Sequence, residues 1–489
     1  MNLKALAKDT AIYGLSSIVG RFLNYLLVPL YTTKIAAESG GYGIVTNLYA
    51  YTAFFLALLT FGMETTLFRF SNKDGEDPDK VYGTTLRMVG SVALAFVVIV
   101  LALLRPVSAA MGYAAHPENI GFMAVIVAMD AFQAIMFSRL RQQGKAVKFM
   151  LLKFAFIIPN ILLNLLIFLG LPHFFDQAPA IRDLYEGLDH GVGLIFITNL
   201  LCTSAVFAGF AHELKGLGFG FDRALAKRMF RYTWPLLLLS IVGILNQVAD
   251  KILFPILMPG AEGRTQLGIY GACVKIAMIM SILTQAFRYA YEPIVFNGSR
   301  DRNSPETLAD GTLWFIVFTV LAYLAVLFYL PVLKYLVGSS YWDGLKVVPV
   351  VMAAEIFMGV YFNISFWYKL TDRTWWGAVM NTVAAAVIIG VNIWGVPRYG
   401  YMACAWGGFA GYGTAMLLSF AIGRKYYPVR YDLPRIAGFV LLAAALYGLY
   451  RLPGLLGAKL PVVAGMALGT VLLLVYCAFA LKVIKKKRI

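Results

Sequence analysis

Charge is scarce in this sequence. Only 14% of its 489 residues are Asp, Glu, Lys or Arg, while 60% are hydrophobic; a soluble domain carries about 25% charge and roughly 45–50% apolar residues. So little charge cannot coat a water-facing surface of this size, which excludes an ordinary soluble enzyme and puts the chain in a bilayer. Cysteine and histidine are scarcer still, at four each. Cys202, Cys273, Cys404 and Cys477 all sit inside apolar stretches without a CxxC or a histidine nearby. His116, His173, His190 and His212 are scattered without ligand spacing. No metal site, thiol redox chemistry or cofactor is therefore expected, and the cysteines read as small buried apolar residues. The strict period of a collagen or coiled coil is missing as well, as is the low hydrophobicity of a disordered chain.

Long apolar runs are what the sequence has instead. A helical span needs about 20 mostly apolar residues, and fourteen candidates meet that rule. They lie near 11–32, 43–65, 82–104, 120–139, 150–171, 191–211, 232–257, 267–290, 312–337, 347–367, 375–395, 400–422, 434–450 and 460–481. The runs are long and do not alternate, so helices are expected and barrel strands are not. Basic residues in the loops test the count, since a missed span would invert every later loop. With the N-terminus inside, thirty of the 42 Lys and Arg fall on the cytoplasmic side and nine outside. The net charge of +17 thus belongs to cytoplasmic loops and not to a nucleic-acid surface, and both termini are expected in the cytoplasm. The first residues, MNLKALAKDTAIYG, lack a small-residue cleavage site and run into an apolar helix, so they read as retained.

An internal repeat is visible. Ser17-Ile18-Val19-Gly20 recurs as Ser240-Ile241-Val242-Gly243, Pro29 as Pro255, and Tyr42-Gly43 as Tyr270-Gly271, at offsets of 223, 226 and 228. Spans 1 and 7 run the same way, so the halves form a parallel repeat of six spans about an axis along the membrane normal. The expected organisation is an N-terminal lobe over 1–215, a cytoplasmic linker helix over 216–231, a C-terminal lobe over 232–425, and spans 13 and 14 with a basic tail over 426–489. The fold class is all-α and polytopic.

Several stretches resemble the polysaccharide transport branch, the Wzx-type flippases, of the multidrug/oligosaccharidyl-lipid/polysaccharide (MOP) exporter superfamily. They are YGLSSIVGRFLNYLLVPLYT, FRYTWPLLLLSIVGILNQVADKILF, LGIYGACVKIA, FNISFWYKLTDRTWWGA and VPRYGYMACAW, in that order along most of the chain. The resemblance implies two six-helix lobes around a central cavity with two further C-terminal helices. It also implies alternating access, and a polyprenyl-pyrophosphate-linked oligosaccharide as the substrate turned from inner to outer leaflet. The sequence departs from the family in span 7, where Asp250 is followed by Lys251 and not by the family's common Arg; the charge is kept and the bidentate fork is lost.

Ionisable groups inside spans are costly and therefore candidate functional groups. Arg21, near the middle of span 1, Lys251 in the outer third of span 7 and Lys275 in span 8 are the candidates to hold a pyrophosphate, which needs fixed donors to leave water. Pairing with a neighbour such as Asp250 is the structural alternative. Asn24, Tyr25 and Asn246 are candidate polar contacts to the same substrate, with Asn160 and Asn164 beside them. Asp130, Asp250 and Glu355, with Glu64 near the inner end of span 2, are the acids an ion-coupled carrier would use, or equally anchors between helices. Arg69 and Arg288 sit between aromatics at the inner ends of spans 2 and 8; they either guide a substrate in or snorkel within an aromatic belt. Gly407 and Gly411 form a GxxxG that reads as packing within the fold, so a monomer is expected.

The reading these features favour is a flippase without covalent chemistry, not an enzyme, acting for cell-surface polysaccharide synthesis in a bacterial inner membrane. Its partners are then a lipid-linked oligosaccharide and membrane lipids, with no nucleic acid. A lipid II flippase or a drug/cation antiporter of the same fold is the alternative. A membrane polymerase or transferase would need convergent acids, bases or metal ligands, and the outside loop at 172–190 holds Asp176, Asp183, Glu186, Asp189 and His190 without recognisable spacing.

Overall fold

The computed structural model describes residues 25–218, 221–297, 304–456 and 461–485, together with Val19 and Leu23. Among these residues every regular element is helical, the solution open to a backbone that must satisfy its own hydrogen bonds in lipid. The chain forms two compact units, Met1–Gly271 and Ala272–Ile489.

The first unit contains α1 (Leu27–Lys34), α2 (Gly41–Thr60), α3 (Met63–Ser71), α4 (Pro78–Ala102), α5 (Leu104–Ala110), α6 (Pro117–Gln142), α7 (Ala146–Leu165), α8 (Pro179–Gly187), α9 (Val192–Gly209) and α10 (Arg223–Leu257). Helix α11 (Ala261–Ala277) carries the chain into the second unit, which continues with α12 (Ile279–Asn297), α13 (Ser304–Leu333), α14 (Val348–Ile364), α15 (Phe366–Leu370), α16 (Trp375–Tyr399), α17 (Met402–Tyr426), α18 (Leu433–Leu455) and α19 (Val462–Lys485).

Among the described residues, ten helices or continuous helix runs are long and apolar enough to cross a membrane, or twelve if two bent pairs each count as one span. The expected fourteen is not reached among the described residues, and two segments account for the difference. Most of the first expected span, 11–32, lies outside the described residues. The twelfth, α17, is 25 residues long, but its glycines, tyrosines and tryptophan leave it short of the apolarity of the others. Those glycines are spent on packing. A Cβ at Gly411 would lie 2.4 Å from Ile388 Cγ1 and 2.9 Å from the Ala384 carbonyl of α16, so the GxxxG faces a neighbour in the same unit.

Residues 216–231 do not form a separate linker helix: Arg223 opens a single helix of 35 residues. Asp222 caps it by accepting from the Leu225 N–H at 2.9 Å, with Pro235 and Pro255 inside it. Helix α10 packs along α2 and α3, within the first of the two compact units. In the second unit, α18 and α19 pack on α13 through Phe328, Phe439, Leu446 and Tyr476, and the Tyr476 hydroxyl donates to the Val317 carbonyl at 3.1 Å.

Candidate functional site

The second expected span is broken. Phe61 and Gly62 both adopt left-handed backbone (φ 33° and 73°), separating α2 from α3 within one 31-residue run. The break leaves the Phe61 carbonyl without its helical partner, and Thr233 of α10 donates its hydroxyl there at 2.5 Å. A cavity of about 570 Å³ opens beside the break, lined by Thr60, Glu64, Thr65, Phe68, Arg141 and Ser240 among others. Glu64 lies in the first turn of α3, where a carboxylate suits the helix dipole, and Arg141 in the last turn of α6, where a cation does. Arg141 Nη2 donates to Glu64 Oε2 at 2.8 Å and to Ser138 Oγ at 2.9 Å, and Ser138 Oγ donates to the same Oε2 at 3.0 Å. The guanidinium also sits 5.4 Å from the Phe68 ring centroid. One side of the cavity thus holds a carboxylate, a guanidinium and a hydroxyl in mutual contact.

Asp130 of α6 has Lys153 of α7 as its electrostatic partner, and Lys153 Nζ rests 4.0 Å from the Phe137 ring centroid. The acid proposed for ion coupling therefore faces a cation on the neighbouring helix.

A second cluster lies near the far end of α10. Asp250 is buried; its Oδ1 is 3.0 Å from Lys251 Nζ and its Oδ2 accepts from the Tyr270 hydroxyl at 2.7 Å. Lys251 is thus an ion-pair partner first, and its side chain remains 21% exposed. Its backbone carbonyl accepts from Asn47 Nδ2 at 2.7 Å, while Asn47 Oδ1 accepts from the Tyr113 hydroxyl at 2.7 Å. Asn246 is buried about one turn earlier on the same helix. Near this end α11 crosses α2 closely: a Cβ at Gly43 would lie 1.9 Å from the Arg264 carbonyl, and one at Gly271 would lie 2.4 Å from Thr46 Oγ1. Tyr42-Gly43 and Tyr270-Gly271 lie where these helices meet.

The remaining candidates are more dispersed. Arg21 and Asn24 lie outside the described residues. Tyr25 and Lys275 are half-buried, as is Glu355 on α14. Arg69 stacks on Tyr232, 4.1 Å from its ring centroid. Arg288 Nε is 3.6 Å from Glu292, which also meets Lys369 at 3.7 Å. Asn164 is consumed in packing, accepting from the Tyr31 hydroxyl at 2.9 Å. Cys202, Cys273 and Cys404 are buried and all four cysteines are free; among the described residues no group of three His, Cys, Asp or Glu could hold a metal. Sequence reading noted Glu64 but placed Arg141 with the loop charges and passed over Ser138. The available signal was an acid and a base each at the polar end of an apolar run.

A family model described as "Polysaccharide biosynthesis protein" matches residues 6–294. Among solved structures, the chain is similar to lipid II flippase MurJ in an inward closed conformation, with a TM-score of 0.72, 14% identity, and 96% of this chain and 98% of that one covered. It is similar to an inward-facing multidrug resistance MATE family transporter of the MOP superfamily, with a TM-score of 0.63, 15% identity, and 85% and 94% covered. The MATE multidrug transporter DinF-BH gives 0.59, 15% identity, and 88% and 98%. At such identities these likenesses speak for the fold. No curated protein matches the chain in sequence.

Proposed function

The chain belongs to the polysaccharide biosynthesis protein family, a MOP-type flippase family whose members are multi-pass membrane proteins, and from that premise we propose that it flips a polyprenyl-pyrophosphate-linked oligosaccharide from inner to outer leaflet. The observation that carries this reading is the family match over residues 6–294, joined to a fold shared with a lipid II flippase over 96% of the chain. In this reading the lobes, 1–215 and 232–425, are related by an axis along the membrane normal and give alternating access in a bacterial inner membrane, with both termini cytoplasmic and the protein a monomer.

The break in span 2, with its cavity, lies toward the basic ends of the helices. At the opposite end α2, α10 and α11 are in close contact through Gly43, Arg264, Asn47 and Lys251. Alternating access then requires those outer contacts to part. Arg21, Lys251 and Lys275 supply donors to the pyrophosphate, with Asn24, Tyr25 and Asn246 nearby in sequence. Asp130, Asp250 and Glu355 are the acids available for coupling, and Arg69 and Arg288 stand at the cytoplasmic mouth. Asp250 and Lys251 hold one another, so Lys251 reaches a phosphate by exchanging one anion for another, with the Tyr270 hydroxyl left to hold the buried carboxylate. Its likeness to MATE multidrug transporters supports a second reading, a drug/cation antiporter.

Native mass spectrometry of the purified protein with a polyprenyl-pyrophosphate oligosaccharide separates the two. Wild type is expected to bind, and Arg21→Ala or Lys275→Ala to lose most bound lipid while melting like wild type. If both variants bind like wild type, Arg21 and Lys275 are not the site. If the lipid does not bind and cationic drugs do, the antiporter reading takes its place.

A further inference from the structure

The cavity beside the break in span 2 has a chemistry the pyrophosphate reading leaves unused. Glu64 and Arg141 neutralise one another, so the wall they form offers no net charge to an ion. The side chains of Arg141 and Glu64 are 38% and 41% exposed, and ion pairs that open to solvent contribute little to stability, about 0–1 kcal/mol. With so little structural return, the pair's place on the cavity wall is explained by what enters the cavity.

What the pair presents is an ordered set of unspent hydrogen-bonding atoms. Arg141 Nη2 uses both its N–H groups, on Glu64 and Ser138, while the three donors on Nη1 and Nε make no hydrogen bond among the described residues. Glu64 accepts both of its bonds at Oε2, leaving Oε1 open. Thr65 and Ser240 line the same space, and Phe68 supplies an aromatic face beside the guanidinium. A ligand that suits this wall is neutral, rigid, rich in neighbouring hydroxyls that both donate and accept, and apolar on one face. That is a sugar ring. A volume of about 570 Å³ lies within the range of pockets that enclose small molecules, roughly 300–1,000 Å³.

We infer that the Glu64–Arg141 pair is the glycan-reading element of this protein: the carboxylate and guanidinium bind adjacent sugar hydroxyls while a ring packs on Phe68. This inference rests on the flippase reading. It separates two tasks, with the intramembrane cations holding the diphosphate common to every carrier lipid and this neutral wall telling a glycosylated carrier from a bare one.

The test uses the full-length protein in detergent, challenged with the lipid extract of the cells it comes from, with bound lipids identified by native mass spectrometry. Wild type is expected to retain glycosylated polyprenyl pyrophosphates over bare polyprenyl pyrophosphate. Glu64→Gln and Arg141→Gln are expected to lower that ratio by about tenfold, the effect of one charge-assisted hydrogen bond, with binding of bare polyprenyl pyrophosphate unchanged. Arg141→Lys guards against a folding artefact: it keeps the charge facing Glu64 and the melting temperature, and loses the selection because an ammonium lacks the fork. Wild type that binds pyrophosphate lipids without regard to the glycan overturns the inference and leaves the flippase reading standing, as do variants that select as well as wild type. Wild type that binds no pyrophosphate lipid overturns both.

Discussion

The hydroxyl of Tyr270 donates to Asp250 Oδ2 at 2.7 Å, while Lys251 Nζ sits 3.0 Å from Oδ1 of the same carboxylate, so one buried acid joins the end of α10 to α11. Removing either partner leaves the acid under-satisfied, and the charged partner matters more. Lys251→Met is expected to destabilise the protein by about 3 kcal/mol and Tyr270→Phe by about 1–2 kcal/mol. The double variant Asp250→Asn, Lys251→Met is expected to recover most of the loss, and thermal unfolding in detergent reads all three. If Lys251→Met melts like wild type, the pair is not structural and Lys251 is free for substrate.

Helices α2 and α11 approach so closely that no side chain fits at Gly43, where a Cβ would meet the Arg264 carbonyl at 1.9 Å. Gly43→Val is expected to force the two apart, at a cost of about 1–3 kcal/mol. In the flippase reading it also shifts the protein toward the outward-open state, which double electron–electron resonance between spin labels on the outer ends of α2 and α11 would register as a longer distance. An unchanged distance would mean this contact is not part of the moving gate.

The carbonyl released by the break in span 2 has one hydroxyl to accept from. Thr233→Val keeps the shape and removes that donor, so a loss of about 1–3 kcal/mol is expected for the buried unsatisfied carbonyl. Thr233→Ser should retain most of the stability. Equal melting of the two variants would show that the break does not depend on this bond.

Access to the cavity can be read with thiol reagents. Cysteines placed at Thr65 and Ser240, which line it, are expected to react with a membrane-impermeant reagent applied from the cytoplasmic side. One placed at Thr66, fully buried, is expected to stay unreactive. Labelling from the outer side alone would reverse the assigned orientation.

Much of the fold was legible because a bilayer writes itself into composition. Apolar runs reveal helices one at a time, and the expected spans coincide with most of the helices found, including the GxxxG of α17, whose glycines indeed meet a neighbouring helix. The places where reading along the chain fell short share a cause. The expected linker helix over 216–231 has no end of its own, since the helix that Arg223 opens continues through Pro235 into the apolar part of α10. Helix α17 passed a looser test of apolarity than its glycines support. The candidate residues divide the same way: Asp250 and Lys251 were recognisable as a pair because they are adjacent, whereas the Lys153 that faces Asp130 comes from another helix.

The sequence by itself determined that this is a helical membrane protein with ionisable groups inside its apolar runs, since those properties follow from the number and spacing of apolar and basic residues. It also carried the family, through words spread over most of its length. Only the tertiary structure decided that Glu64, Ser138 and Arg141, separated by more than 70 residues of chain at the widest, form one polar wall, and that Tyr270 completes the shell of Asp250. The physical reason is that burial is a property of one helix face and can be read from period and composition, whereas a hydrogen-bonding site is made by side chains from different helices, whose meeting depends on how those helices cross.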